Sequence, residues 1–337
     1  MITVFDDAQR AHDPQFFLSS GAPLPCPEKP ARVDALLTAV RRLGGPVVQA
    51  PDAGLAPIGR VHPQRYLTFL QGIYPRWSRI AGASAEVIPN IHPANRSDGY
   101  PKSAVGQAGY HMTDTSCPIS GQTWAAAYAS AQTAIHAADL VLGGEAAVYG
   151  LSRPPGHHAF AELAGGFCYL NNSGIAAQRL TDAGRRVAIL DVDLHHGNGT
   201  QGMFYDRGDV LTVSLHADPE RFYPFFWGYG AETGTGAGQG ANLNLPLPRG
   251  TGDEGFLRAL GQALAKLSDW GADTLVLALG LDAFEGDPFA GLGVTTPGFA
   301  RIGKAVAALG LPTVIVQEGG YLCPELGDNL AAVLSAF

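Results

Sequence analysis

The sequence contains few charged residues and no cluster of basic ones. Asp, Glu, Lys and Arg make up 15% of the 337 residues, the formal net charge is −8, and no run of Lys and Arg occurs. Because nucleic-acid-binding domains usually carry a basic face, we do not expect a nucleic-acid partner. An acidic surface instead favours a cationic small molecule.

Long apolar runs and paired cysteines are also absent. No run approaches the ~20 residues that a membrane-spanning helix needs, and the N-terminus MITVFDDAQRAHD lacks the basic start and apolar stretch of a secretory signal. The four cysteines are scattered without a C-x-x-C pair. We therefore expect reduced thiols, no membrane association and a cytoplasmic location.

Apolar residues, by contrast, are plentiful. They make up 46% of the chain, which is enough for a large buried core. There is no break in composition and no internal repeat. The chain is thus expected to form one domain over residues 1–337, a size that α/β enzymes reach as a single unit.

Apolar runs alternate with helical patterns along the chain. Continuous apolar runs, typical of parallel strands buried on both faces, are ITVF near residue 2, AAVYG near 146, VAILDVD from 187, VLTVSLH from 210, TLVLALG from 274 and TVIVQ from 313. Helical patterns cover 31–43, 123–142, 171–183, 253–269, 298–309 and 325–335. This alternation predicts an α/β fold with a doubly wound parallel sheet.

Two segments do not fit the alternation. Residues 83–120 are polar and contain Gly and Pro, which indicates a long loop or insert. Residues 218–241 combine an aromatic cluster with the Gly-rich stretch GYGAETGTGAGQG. Because long irregular segments inside a domain are usually functional, we expect both to shape a binding site.

Reactive side chains follow four of the predicted strands. Since ligands bind beyond the carboxyl ends of such strands, these side chains should meet in one crevice. Asp193 and His195 follow one strand and Asp282 follows another. An Asp-x-His pair alone also occurs in ordinary capped loops, but with Asp282 it makes a three-ligand set. Such a set suits catalytic zinc, with one position left open for water or substrate, and predicts a metal that activates water and polarises a carbonyl.

The other two strand ends carry candidate proton-transfer groups. His157 and His158 follow two prolines and a glycine, and adjacent histidines need polar partners, for which Asp191 and Asn198 are suitable. A general acid and base is the functional interpretation, and a structural pair is the alternative. Tyr321, after two glycines, suits an oxyanion donor, although a tyrosine in this context is more often a packing residue.

Taken together, the motifs resemble the histone deacetylase family, and within it the bacterial acetylpolyamine amidohydrolases. The resemblance rests on RPPGHHA, GGFCYLNN, ILDVDLHHGNGTQ, SLHADP, LGLDAFEGDP and EGGY, and it covers essentially the whole chain. It implies the arginase/deacetylase fold with a central eight-stranded parallel sheet flanked by helices. It also implies deacetylation of an acetylated amine by a zinc-activated water that attacks the amide carbonyl.

The resemblance assigns a role to each candidate residue. Asp193, His195 and Asp282 would bind one Zn²⁺ per chain, His158 would be the general base and acid, and His157 its electrostatic partner. Tyr321 would hold the carbonyl, with Asp191 and Asn198 orienting the histidines. A structural K⁺ site would comprise Asp191, Asp193, His195, Ser214 and Leu215. The walls of the substrate tunnel would be Gly166, Phe167 and Tyr223, with Phe289 at its rim.

Two other activities are weighed against deacetylation. An arginase-like enzyme with two manganese ions needs further carboxylates at positions 197 and 280, but this chain has glycine at both. A binding protein for acetylated ligands would not need a complete set of catalytic residues, which this chain has. One zinc ion, rather than two manganese ions or none, is therefore expected; Fe²⁺ would also suit the ligands.

The substrate is either a small acetylpolyamine or an acetylated lysine of a protein. The 83–120 insert resembles the loop by which acetylpolyamine amidohydrolases dimerise and narrow the tunnel mouth, which favours a slender cationic amine and a homodimer. Asp98 and Asp114 are candidate partners for the substrate cation, whereas Val105 and Phe289 occupy positions where an acid would be useful. Phe225 and Trp227 are candidates for cation–π contacts instead.

Overall fold

Eight parallel strands form the central sheet of the protein. The structure is a computed structural model and describes residues 1–93 and 97–337. In spatial order the sheet strands are β4 (Val47–Val48), β1 (Ile2–Val4), β5 (Ala147–Gly150), β10 (Thr313–Gln317), β9 (Thr274–Leu279), β6 (Val187–Asp191), β7 (Val210–Ala217) and β8 (Asn242–Leu247). A separate antiparallel hairpin joins β2 (Phe16–Ser19) and β3 (Ala22–Pro25). The predicted eight-stranded parallel sheet is confirmed.

Nine α-helices lie within the described residues. They are α1 (Ala31–Arg42), α2 (Gln64–Trp77), α3 (Ala104–His111), α4 (Thr123–Leu142), α5 (Asn172–Asp182), α6 (Asn198–Phe204), α7 (Asp253–Trp270), α8 (Thr296–Ala307) and α9 (Leu326–Leu334). None of the helices in residues 1–93 and 97–337 is both long and apolar enough to cross a membrane.

The two faces of the sheet are covered by different helices. On β9, Leu275 and Leu277 belong to one core cluster, together with residues of α1, α7, α8 and α9. Val276, between them, belongs to a second cluster with residues of α4 and α5. Side chains of a strand alternate between faces, so a strand buried on both sides must be apolar at every position. This explains why continuous apolar runs predicted the central strands correctly.

The two strands of the central sheet that the sequence did not predict lie at its edges, and the separate β2–β3 hairpin was not predicted either. β4 has only two residues, and β8, with the sequence NLNLPL, alternates buried and partly exposed positions and contains Pro246. An edge strand tolerates proline and polar residues because only one of its sides is paired. Neither strand therefore shows the continuous apolar pattern of the central ones.

The segment 83–120 is more regular than the sequence suggested. It contains α3, whose first residue follows the N-capping side chain of Ser103, and a bridge that pairs Val87 with Ile119. Residues 94–96 of this segment lie outside the described residues. The prediction of a long loop is thus wrong for α3, a helix of only eight residues that includes two glycines and has a weak periodic pattern. The helix α2, just before it, was not predicted.

Candidate active site

The carboxyl ends of four central strands surround one cavity. β5 leads to His157 and His158, β6 to Asp193 and His195, β9 to Asp282, and β10 to Tyr321. The cavity has a volume of about 560 Å³, and its lining includes both His157 and His158, His195 and Tyr321. The crevice predicted at this edge of the sheet is therefore present, and it collects the reactive residues.

Three predicted metal ligands converge at one point beneath this cavity. Nδ1 of His195 lies 3.2 Å from Oδ1 of Asp193 and 3.1 Å from Oδ2 of Asp282. The remaining oxygens of the two carboxylates are held by backbone amides: Gly319 N–H donates to Asp193 at 2.8 Å, and Leu194 N–H donates to Asp282 at 2.9 Å. These amides orient one oxygen of each carboxylate toward the imidazole of His195.

The donor set fits a divalent metal ion. Asp193, His195 and Asp282 are all buried, and one donor atom of each lies within 4.8 Å of the others. Burial lowers the pKa of His195, but the carboxylates of Asp193 and Asp282 outweigh burial and raise that pKa to about 9. The site thus attracts positive charge, and two carboxylates with one imidazole are ligands that Zn²⁺ accepts.

Close packing around Gly319 makes this arrangement possible. A Cβ at position 319 would collide with the carboxylates of both Asp193 and Asp282, so only glycine lets the β10 loop approach the donor set. The next residue, Gly320, has φ +106°, which L side chains rarely adopt. The Gly-Gly pair of the EGGY motif therefore explains how Tyr321 is brought next to the metal ligands.

A second buried group beside the donor set does not fit a metal. Donor atoms of His157, Cys168 and Glu318 also lie within 4.8 Å of one another. However, burial raises the pKa of the Cys168 thiol well above its usual value, which disfavours the thiolate that a metal needs. The Glu318 carboxylate is already used: it accepts from Gly156 N–H at 2.6 Å, His157 N–H at 3.0 Å and the Ser173 hydroxyl at 2.7 Å.

The tandem histidines have different partners. Nδ1 of His157 lies 2.9 Å from a carboxylate oxygen of Asp191, and Nδ1 of His158 lies 2.7 Å from Oδ1 of Asn198. The two rings are 4.0 Å apart between centroids. The pairing that the sequence suggested, with Asp191 and Asn198 as orienting partners, is the one the structure has.

These partners shift the two imidazole pKa values in opposite directions. Burial lowers the pKa of His157, but Asp193 and Asp191 outweigh it and raise that pKa to about 10. Burial lowers the pKa of His158 well below its usual value, and the neighbouring His157 and His195 lower it further. His158 is therefore neutral near pH 7. Its Nδ1 proton faces Asn198, which leaves Nε2 free to accept a proton.

Tyr321 lines the same cavity as the two histidines. Its backbone N–H donates to Oδ2 of Asp287 at 2.9 Å, and the guanidinium of Arg32 lies 5.1 Å from its ring centroid. Burial raises the pKa of the Tyr321 hydroxyl well above its usual value, so the hydroxyl stays protonated and can donate a hydrogen bond. Its place in the cavity lining, near His195, suits a donor to a substrate oxygen.

Aromatic side chains form the walls of the cavity. Phe289 packs against His195 and Tyr321, with ring centroids 5.2 and 4.7 Å away, and Tyr223 lies 4.9 Å from His158. The predicted tunnel residues Gly166, Phe167, Tyr223 and Phe289 all belong to the lining. Phe17, on the β2–β3 hairpin, and Phe222 also line it, and the sequence had not assigned either to the tunnel.

Asp114 holds one of these walls in place. Its carboxylate accepts from the Tyr223 hydroxyl at 2.6 Å, Gly166 N–H at 3.1 Å and Ser116 N–H at 2.8 Å. The sequence suggested Asp98 and Asp114 as partners for a substrate cation. Asp98 is exposed and lies outside the cavity lining, whereas Asp114 lines the cavity and is occupied by these three donors and by the Thr113 hydroxyl at 3.3 Å.

Two buried acids near the site had no role assigned from the sequence. Asp287 bridges two cavity residues, since its second oxygen accepts from Phe289 N–H at 2.9 Å. Glu318 joins the β10 loop to the backbone of the histidine loop. Both lie inside the motifs LGLDAFEGDP and EGGY. Acidic residues within these motifs could have been predicted to belong to the site, but only the fold shows which backbone amides they accept from.

The predicted potassium residues come from two neighbouring strands. Asp191 and Ser214 are direct register partners on β6 and β7. Leu215 follows Ser214 on β7, and Asp193 and His195 follow the end of β6. Asp191 and Ser214 are therefore adjacent across the strand pair, and the other three residues follow them along the chain.

The positions of Gly197 and Gly280 bear on a two-metal centre. A Cβ at Gly197 would collide with Asp191, and a Cβ at Gly280 would collide with Asp193. Both glycines thus face carboxylates of the site, as ligands of a second metal would, but they carry no donor atom. The residues present fit one metal ion rather than two.

Known proteins resemble this chain over its full length. The family model for the histone deacetylase domain matches residues 26–337. Acetylpolyamine amidohydrolase 1 of Pseudomonas aeruginosa is 42% identical, covering 100% of this chain and 99% of that protein. The acetylpolyamine amidohydrolase of Burkholderia pseudomallei is 44% identical, with 100% and 98% coverage. A crystal structure of acetylpolyamine aminohydrolase from Burkholderia pseudomallei has a TM-score of 0.97, at 44% identity and the same coverage. This chain therefore belongs to the histone deacetylase family and is a deacetylase of the hydrolase class.

Proposed function

We propose that this protein is a zinc-dependent amidohydrolase that removes the acetyl group from acetylpolyamines. The observation that carries the proposal is the buried set Asp193, His195 and Asp282 beside His158 and Tyr321, beneath an aromatic cavity. Two relatives that match the whole chain are named acetylpolyamine amidohydrolases. An aromatic-walled cavity suits the aliphatic chain of such an amine.

The metal site takes one zinc ion per chain. Asp193, His195 and Asp282 would hold it, and their two carboxylates and one imidazole leave room for other ligands. When bound, the ion supplies Lewis-acid polarisation of the amide carbonyl and lowers the pKa of a water molecule.

Different side chains of the cavity carry out proton transfer and charge stabilisation. His158 accepts a proton at Nε2 from the water that forms the new C–O bond. Tyr321 donates a hydrogen bond to the carbonyl oxygen as negative charge develops there. His157, kept cationic by Asp191 and Asp193, stabilises that charge electrostatically. His158 then passes its proton to the amine nitrogen as the C–N bond breaks, which yields acetate and the free amine.

A substrate profile with metal removal tests this proposal. We would strip the protein with a chelator, reload it with Zn²⁺ or Fe²⁺, and measure kcat/KM for acetylputrescine, acetylcadaverine, acetylspermidine and an acetyl-lysine peptide. We expect activity only after reloading, and higher kcat/KM for the acetylated amines than for the peptide. A preference for the peptide would assign the chain to protein deacetylation instead. Activity that needs two metal ions per chain would contradict the one-metal site.

A structural potassium ion is a further part of this proposal. The supporting observation is that Asp191 and Ser214 are adjacent across the β6–β7 pair, with Asp193, His195 and Leu215 next to them. If K⁺ binds there, the melting temperature should rise when K⁺ replaces Li⁺ at constant ionic strength. Equal melting temperatures in the two salts would remove the potassium site.

We also propose that the 83–120 segment mediates a homodimer. The support is limited to the described part of the segment, where Ile91 is 55% exposed although it is a large apolar residue. Light scattering should then give twice the chain mass, and Ile91→Asp should shift the protein toward monomer. A wild-type protein that is monomeric at micromolar concentration would contradict this.

A further inference from the structure

The mouth of the cavity is bordered by an exposed aromatic cluster. We call Phe225, Phe226 and Trp227 the aromatic rim; all three line the cavity. Phe225 is 48% exposed and Phe226 is 84% exposed. An exposed apolar patch marks a surface that binds a ligand or a partner, and the place of these rings in the cavity lining favours the ligand.

Contacts within its own loop position the rim. Phe225 has φ +62°, a strained conformation for a side chain of this size. The Tyr229 hydroxyl donates to the Phe225 carbonyl at 2.8 Å, and Gly228 N–H donates to Glu232 at 2.9 Å. The Trp227 ring packs 5.3 Å from that of Phe160. These contacts fix the chain on both sides of Phe226, whose own side chain is exposed.

The charges near the rim are unusual for a cation-binding cavity. Among the described residues, Asp114 is the only carboxylate in the cavity lining, and four protein donors already bind it. Arg221 also lines the cavity; it is exposed, and its guanidinium makes no hydrogen bond or ion pair with the described part of the chain. Within the described lining, a substrate cation at the mouth would thus meet aromatic faces and one positive charge, and the one carboxylate is already hydrogen-bonded.

We infer that the aromatic rim recognises a single distal ammonium group of the substrate, and that Arg221 disfavours a second one. This rests on the proposed deacetylation of acetylated amines and narrows the substrate class to monoacetylated diamines. The face of an aromatic ring attracts an ammonium group through the quadrupole of the ring. A guanidinium nearby repels any further cation on the same substrate, and salt screens that repulsion.

Three substrates of graded charge test the inference. They are N-butylacetamide with no cation, acetylputrescine with one and acetylspermidine with two. In the zinc-loaded protein, Phe226→Leu keeps an apolar side chain but removes the aromatic face. It should lower the ratio of kcat/KM for acetylputrescine to that for N-butylacetamide by about two- to fivefold.

The second variant, Arg221→Gln, addresses the positive charge. It should raise kcat/KM for acetylspermidine relative to acetylputrescine by about two- to threefold at low salt, and less at high salt. Arg258→Gln, on the exposed side of α7 and outside the cavity lining, is the matched control and should change neither ratio.

The outcomes separate this inference from the proposed function. If Phe226→Leu leaves the first ratio unchanged, the rim does not recognise the cation. If Arg221→Gln leaves the second ratio unchanged, Arg221 does not select against polycations. If the zinc-loaded wild type hydrolyses none of the three amides, the proposed function itself fails.

Discussion

His157 and His158 are neighbours in the chain, but their surroundings make His157 cationic and His158 neutral near neutral pH. His157 faces the carboxylate of Asp191, whereas His158 faces the uncharged amide of Asn198. A carboxylate stabilises the imidazolium, and an amide oxygen does so much less. One residue type thus yields a fixed positive charge and a proton acceptor side by side.

Replacing each histidine by alanine distinguishes these roles. His158→Ala should lower kcat by about a hundredfold to ten-thousandfold because the proton acceptor is lost. His157→Ala should have the smaller effect, since it removes only the neighbouring charge. Steady-state kinetics with acetylputrescine on zinc-loaded protein measures both. If only His157→Ala abolished activity, the two roles would be reversed.

The Tyr321 hydroxyl is expected to act only on the substrate oxygen. Tyr321→Phe should lower kcat by about a hundredfold or more, because one oxyanion donor is removed. The bound zinc, determined by elemental analysis, should stay at one per chain, since Tyr321 is not a ligand. Tyr205→Phe, at the end of α6 and outside the cavity lining, is the control. Unchanged activity in Tyr321→Phe would exclude the residue from the reaction.

At the scale of elements, the site depends on hydrogen bonds that link the loops after β5, β9 and β10 to one another. The β9 loop is joined to the β10 loop through Asp287, which accepts from the backbone N–H groups of Phe289 and Tyr321. The β10 loop is joined to the β5 loop through Glu318. Because each tie is a buried carboxylate on backbone amides, the catalytic side chains keep their positions although they belong to different strands.

Asp287→Ala tests one of these ties. The buried amide of Tyr321 and the part-buried amide of Phe289 would lose their acceptor, which should lower the free energy of unfolding by about 1–4 kcal/mol. Because the Tyr321 backbone would be less constrained, kcat should fall by about tenfold or more. Urea unfolding and steady-state kinetics measure the two effects. Asp52→Ala, which removes a similar acceptor at an exposed turn, is the control. Full activity in Asp287→Ala would show that the hydrogen bonds of Asp287 do not position Tyr321.

At the scale of the whole molecule, several histidines are buried in the neutral form. His62 is one of them: its Nδ1 lies 2.9 Å from the Ala161 carbonyl, and its Nε2 accepts from Asn171 N–H at 2.9 Å. Nδ1 of His62 therefore carries the proton. If Nε2 were protonated as well, its N–H would point at the N–H of Asn171, and that hydrogen bond would be lost. Burial lowers the pKa of His62 to about 4.

This lowered pKa predicts a loss of stability in mild acid. The unfolded chain, with a histidine pKa of about 6.5, binds the proton first as the pH falls. Stability from His62 is thus complete above about pH 6.5 and is lost as the pH falls from 6.5 to 4, by on the order of 3 kcal/mol. Urea unfolding from pH 7 to 4.5 should show a shallower decline for His62→Gln than for the wild type. Parallel declines would contradict this.

The inner strands and the reactive residues at their ends could be predicted from the sequence. Continuous apolar runs identified the six inner strands, because a strand buried on both faces has no polar position. Strand ends that carry Asp193, Asp282, the His157–His158 pair and Tyr321 indicated one crevice, because parallel strands end at the same edge. Where burial was partial, as in β4 and β8, the pattern was too weak to predict an element.

Tertiary structure alone decided which groups face one another across the chain. Asp114 was a candidate partner for the substrate cation, yet it lies against the hydroxyl of Tyr223. Asp287 and Glu318 were acids of unknown use, yet they hold the backbones of the catalytic loops. The exposure of Phe226, and the absence of an ion-pair partner for Arg221 among residues 1–93 and 97–337, also became visible only in the folded chain. Such contacts join residues distant in sequence, and a hydrogen bond depends on distances and angles that only the packed fold determines.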